Sequence, residues 1–256
     1  MGYKDVLVYL DPSLDNDNRL DLAISIVHSH GARLIGVDAS SDAALEEARR
    51  GHKAVLRDVF EERTKKAGIS ARFHGRDRDG NVVRYAYYAD LLIASQPEFD
   101  ERKLVVPAVP EEALLKSGVP MVILPYSWQP QPVGERVVIA WNASREATRA
   151  IHDAMPILKR AKEVTVFEVR SGATGVPTEE KLIVDHLQAH GVNAKAEWSD
   201  TEGLTVVEAL FASLEDKDPD LIVAGAYGQS RLFERLFGGA SHDLVRQPSI
   251  PVLMSH

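Results

Sequence analysis

Two short glycine clusters are the part of this chain best suited to chemistry. Gly225-Ala226-Tyr227-Gly228 is followed, nine residues on, by Gly238-Gly239-Ala240-Ser241. A residue without Cβ lets the backbone approach an anion closely, and the unpaired N–H groups of a helix start carry the positive end of the helix dipole. A loop of this kind holds a phosphate with main-chain donors alone. The same glycines also serve to turn the chain and cap its elements. Arg231 and Arg235 lie between the clusters, within reach of a phosphate or as solvated helix charges. Catalytic signatures are missing: there is no cysteine, no Gly-x-Ser-x-Gly elbow, and no histidine placed after a strand beside a nucleophile. We therefore assign no catalytic residue and read a binding module in preference to an enzyme.

Such a loop needs a strand before it and a helix after it. The pattern supplies both. Residues 135–141 form a continuous apolar run, as in a parallel strand covered on both faces. Ala147, Ala150, Ile151, Ala154, Met155 and Leu158 then follow at helical spacing, with Ser144 as N-cap. Pro156 within that pattern predicts a kink or a shortened helix. Strands are expected at Val164–Val169, Val192–Trp198, Asp220–Gly225 and Ile250–Met254, with helices near 178–190, 203–214 and 240–246. The first half gives the same alternation. Strands alternating with helices mean an α/β fold built on a doubly wound parallel sheet. In such sheets ligands bind beyond the carboxyl ends of the strands, where the strand order reverses.

The alternation occurs twice. Lys4–Asp11 aligns with Glu135–Asn142 at an offset of 131, Asp90–Ala94 with Asp220–Ala224 at 130, and Val119–Ile123 with Ile250–Met254 at 131. These offsets imply two five-stranded domains in tandem, 1–125 and 135–256, joined by a linker at 126–134 that carries Pro130, Pro132 and Gly134. The 256-residue length suits two domains. With 30 Lys and Arg against 38 Asp and Glu, a net charge of -8, the chain lacks the basic footprint that nucleic acid requires. The lack of cysteine excludes disulfide frameworks and thiolate metal sites and fits a reducing cytosol. No apolar run is long enough for a membrane span, and the strand-like start leaves no room for a signal peptide.

The spacing Gly225-x2-Gly228-x9-Gly238 resembles the nucleotide-binding signature of the universal stress protein family. So do Ala140-Trp141-Asn142-Ala143-Ser144, Gly225–Leu232 and the terminal Pro251–His256. The resemblance spans the whole chain and implies a tandem member: two adenine nucleotide α-hydrolase-like domains with flavodoxin-like layering. It implies a cytoplasmic stress-response factor whose second domain takes ATP or AMP, with or without magnesium. Ala140 and Val169 would line the adenine and ribose end. Asn142 stands where the family commonly has aspartate. Gly225 and Gly228 would approach ribose and phosphate, and Gly238, Gly239 and Ser241 would surround the outer phosphates. Gly239 replaces a family hydroxyl residue, which Ser241 would supply instead. The family also implies pairing through the last strands, as an intramolecular pseudo-dimer or a homo-oligomer, with a protein partner the sequence does not identify. The alternatives are a nucleotide-free dimerisation or interaction module, and a slow ATP hydrolase.

In the first half Asp11 keeps the acidic position. Ser95 and Glu98 align with Gly225 and Gly228, and Pro107 and Ala108 with Gly238 and Gly239. A carboxylate facing the phosphate position repels it and proline offers no N–H, so the first half is expected to be degenerate. Other signals are read as structural. His186 and His190 have metal-ligand spacing but no third ligand, and with His28 and His30 they are read as helix-end cations. Asp11, Asp15, Asp17 and Asp21 lack the glycine and glutamate of a calcium loop and read as a solvated helix start. Gly75–Asn81 is read as a polar loop, and Lys53–Lys66 as an exposed helix.

Overall fold

The computed structural model describes residues 2–11, 16–40, 56–75, 82–96, 109–170, 179–200, 206–214, 217–226 and 249–256. The chain divides into two compact units, Met1–Pro130 and Gln131–His256.

In unit 1, strands β1 (Asp5–Leu10), β2 (Arg33–Asp38), β3 (Ala71–His74), β4 (Leu91–Ser95) and β5 (Met121–Leu124) alternate with helices α1 (Asn16–His30), α2 (Leu56–Ala67), α3 (Val83–Ala86) and α4 (Val109–Ser117). The sheet is parallel throughout, in the order β3-β2-β1-β4-β5. In unit 2, strands β6 (Arg136–Trp141), β7 (Glu163–Arg170), β8 (Ala194–Asp200), β9 (Leu221–Gly225) and β10 (Val252–Ser255) alternate with α5 (Arg145–Leu158), α6 (Glu179–Ala189) and α7 (Val206–Leu214). Its order is β8-β7-β6-β9-β10, again parallel. Each order reverses direction once, between β1 and β4 or between β6 and β9. These are the switch points at which a crevice opens.

The internal repeat holds at the level of register. Val6 lies opposite Leu91 as Val137 lies opposite Leu221, and Leu92 opposite Met121 as Ile222 opposite Val252. A slip of one residue would turn every apolar side chain to the wrong face, so matched registers mean matched cores. Leu7, Val8, Leu92 and Ile93 in unit 1, and Val164, Val166, Ile222 and Val223 in unit 2, are wholly buried. Each such side chain contributes roughly 1.5–3 kcal/mol.

Both units also share a polar clasp at the amino edge of the sheet. Asp90, just before β4, accepts hydrogen bonds from the backbone N–H groups of Lys4 (2.7 Å) and Asp5 (2.9 Å). Asp220, just before β9, accepts from Gly134 (2.7 Å), Glu135 (3.1 Å) and Arg136 (2.9 Å). These donors stand at or just before the starts of β1 and β6. The aspartate ties the start of the central strand to that of its neighbour.

Three expectations are adjusted. Helix α5 runs through Pro156 to Leu158 without being shortened. Proline there falls in the last turn, where few bonds remain to break. Strand β8 begins at Ala194, two residues later than the apolar pattern suggests. The acidic start of α1 is not simply solvated: Asp11 pairs with Arg19, while Asp17 and Asp21 both pair with Arg63 of α2. The expected helix at 240–246 lies outside the described residues.

Candidate functional site

At the carboxyl edge of unit 2, β6 ends in Ala140 and Trp141 and hands over to Asn142. Ala140, Trp141 and Gly225 are part-exposed, Asn142 is exposed, and Val169 at the end of β7 is part-exposed. The middle of β6 and of β9 is buried, and exposure returns at this edge. Asn142 Oδ1 accepts from the Ser144 N–H at 3.2 Å, which tightens the turn that swings the chain from β6 into α5. Ala143 adopts a left-handed φ of 53° in that turn. Ser144 then caps the helix, its Oγ accepting from the Ala147 N–H at 3.1 Å. Glu146, buried in the first turn, adds a carboxylate to the positive end of the helix and pairs with Arg145 at 3.2 Å. Ser144 thus takes one of the N–H groups of the α5 terminus, and the Glu146 carboxylate offsets part of its positive end.

Gly225 has a structural cause that its sequence neighbours do not reveal. A Cβ built there would stand 2.5 Å from the Ala147 nitrogen and 2.6 Å from the Glu146 carbonyl carbon. The first turn of α5 rests on the bare backbone of β9, so glycine at 225 sets how closely helix and sheet approach. Trp141 Nε1 is a buried donor without an acceptor among the described residues. Leaving such a donor unpaired costs about 1–3 kcal/mol. Gly228, Gly238, Gly239 and Ser241, with Arg231 and Arg235, lie outside the described residues. The structure thus brings Ala140, Asn142, Val169 and Gly225 to one edge.

The corresponding edge of unit 1 is filled. Tyr9, Leu10, Val37, Ala39, Ser40 and Ser95 are all buried. Arg19, only 3% exposed, reaches in from α1 and donates to the Tyr9 carbonyl (2.9 Å), to both carboxylate oxygens of Asp11 (3.2 and 3.0 Å), and to Asn16 Oδ1 (2.8 Å). Asp11, which keeps the acidic position, is engaged by a cation of its own chain. Sequence reasoning missed Arg19 because an arginine in an acidic helix start looks solvated. It missed Tyr9 although the alignment places it against Ala140. Glu98, Pro107 and Ala108 lie outside the described residues.

Away from the edge, His186 of α6 meets His152 of α5 and His190, just past the end of α6, with ring centroids 5.4 and 4.7 Å away. Burial, followed by the charges of His190 and His152, lowers the His186 pKa below its ordinary value. Among the described residues no group of His, Asp and Glu has the arrangement to hold a metal ion, and no helix is long and apolar enough to cross a membrane.

No family model matches the chain, and no curated protein matches it. Solved structures do. A universal stress protein from Archaeoglobus fulgidus is similar over 98% of this chain and 97% of its own, with a TM-score of 0.75 at 19% identity. A protein of unknown function from Pseudomonas aeruginosa PAO1 covers 99% of this chain and 92% of its own, at a TM-score of 0.61 and 14% identity. The class is therefore a mixed α/β protein with a mostly parallel sheet in each unit. Within that class, the chain carries the universal stress protein fold from end to end.

Proposed function

We propose that this chain is a cytoplasmic tandem universal stress protein that binds ATP or AMP in unit 2 as a regulatory ligand. The observation that carries the reading is the contrast in openness at the switch point. Ala140, Asn142, Val169 and Gly225 stand together and accessible at the carboxyl edge of unit 2, where an α/β sheet receives its ligand. The adenine and ribose lie against Ala140 and Val169, with Asn142 offering its amide as both donor and acceptor. Gly228, Gly238, Gly239 and Ser241 supply the phosphate cradle, with or without magnesium. Backbone N–H groups hold the anion, so the net charge of -8 is no obstacle.

Titration calorimetry of the full chain with ATP, and separately with AMP, with and without magnesium, tests the reading. We expect one site per chain. Folded protein giving no heat at millimolar nucleotide would overturn it.

One observation favours a second reading, an interaction module that binds no nucleotide. The packing of α5 already accounts for glycine at 225, and Asn142 is already used within its turn. That reading predicts that ATP leaves the melting temperature of wild type and of Gly228→Glu equally unmoved.

A further inference from the structure

The two central strands can be compared residue by residue because their registers coincide. Tyr9 lies opposite Val37 in unit 1 as Ala140 lies opposite Phe167 in unit 2. One position thus carries a phenol ring in one copy and a methyl group in the other. The ring is 1% exposed, whereas Ala140 is accessible. Tyrosine buries on the order of 150–250 Å², several times what alanine can. The Tyr9 hydroxyl points toward the Val82 carbonyl just before α3, at 3.4 Å. Burial, and to a smaller extent the Glu112 carboxylate, raises the phenol pKa, so the ring stays neutral. From the α1 side Arg19 donates to the carbonyl of this same Tyr9 while holding Asp11.

We propose that unit 1 carries its own internal ligand: the Tyr9 ring and the Arg19–Asp11 ion pair fill the crevice that unit 2 keeps open. Residue 9, and its counterpart 140, decides whether a copy of this fold is closed or accepts a ligand. The volume Tyr9 fills fits a planar neutral ring bearing one hydrogen-bonding group. Arg19 is kept from acting as an anion site because Asp11, Asn16 and the Tyr9 carbonyl engage both of its terminal nitrogens and the Asp11 carboxylate balances its charge. The proposal goes beyond nucleotide binding by unit 2 and does not rest on it.

The test uses the full chain and p-cresol, the side chain of tyrosine as a free molecule. In Tyr9→Ala, p-cresol is expected to raise the melting temperature and to restore hydrogen-exchange protection of the β1 and β2 amides. Wild type should bind it weaker by about tenfold or more. Tyr9→Val, a smaller truncation, serves if the alanine variant does not fold. The reciprocal variant, Ala140→Tyr, is expected to fold with an unchanged melting temperature, because Ala140 is part-exposed where Tyr9 is buried. No response of a folded Tyr9 variant to p-cresol, or loss of folding in Ala140→Tyr, would overturn the proposal. Neither readout involves nucleotide, so a failure here is distinct from a failure of nucleotide binding.

Discussion

Units 1 and 2 agree in strand order, register and the aspartate at the amino edge, and differ at the carboxyl edge. Val6, Leu91 and Met121 have the pairings of Val137, Leu221 and Val252. Tyr9 and Ser95 are buried where Ala140 and Gly225 are accessible. The comparison teaches that the determinants of this fold and of its crevice are separable. Apolar runs and amino-edge hydrogen bonds make the sheet. A few residues at the carboxyl ends of the strands make the two edges differ.

Variants that strike one copy and not the other put this to the test. Asp220 is 4% exposed and gathers three backbone donors, so Asp220→Ala should cost about 3–5 kcal/mol by urea unfolding. Asp90→Ala, in an exposed setting with two donors, should cost about 1 kcal/mol. Equal losses would mean that the clasps are not graded by burial. Gly225→Ala forces a methyl into the first turn of α5 and should cost about 1–3 kcal/mol, while the reverse change in unit 1, Ser95→Gly, stays under about 1 kcal/mol. An unaffected Gly225→Ala would show that helix and strand are not in the contact described.

A smaller effect concerns pH. His186 has a lowered pKa in the folded protein, so between that value and the ordinary 6.5 the unfolded chain binds the extra proton. Its contribution to stability is complete above pH 6.5 and is lost as pH falls through the folded value. Urea midpoints of wild type should decline from pH 7.5 to pH 5 more steeply than those of His186→Gln. Parallel declines would remove His186 as the cause. The smallest effect is Tyr9→Phe, which gives up only the 3.4 Å contact with Val82 and should cost about 0.5 kcal/mol.

Much of this was legible in the residues. Apolar runs such as Val137-Val138-Ile139 and Leu91-Leu92-Ile93 mark buried parallel strands, and the offsets of 130 and 131 carry over into the strand pairings. The site was less legible, for physical reasons. Gly225 looks like a phosphate glycine, yet its neighbour is a helix turn some 80 residues away in sequence. Close approaches of this kind leave no local pattern. Arg19 has the composition of a surface residue and becomes buried only because Asp11, Asn16 and a carbonyl converge on it. The third imidazole, His152, sits on a different helix from His186, so the spacing of His186 and His190 could not reveal it.

The aspartate clasp has a consequence for how such a duplicated chain can diverge. Asp90 and Asp220 fasten their sheets at the margin farthest from the crevice. Changes at the ligand margin therefore leave the fastening untouched. A copy can accumulate a bulky ring or an internal cation there and still assemble, because nothing that aligns its strands has been spent. The same separation makes the outer margin a place to engineer: either copy can be re-cut at residues 9, 19 or 140 while its aspartate holds the frame.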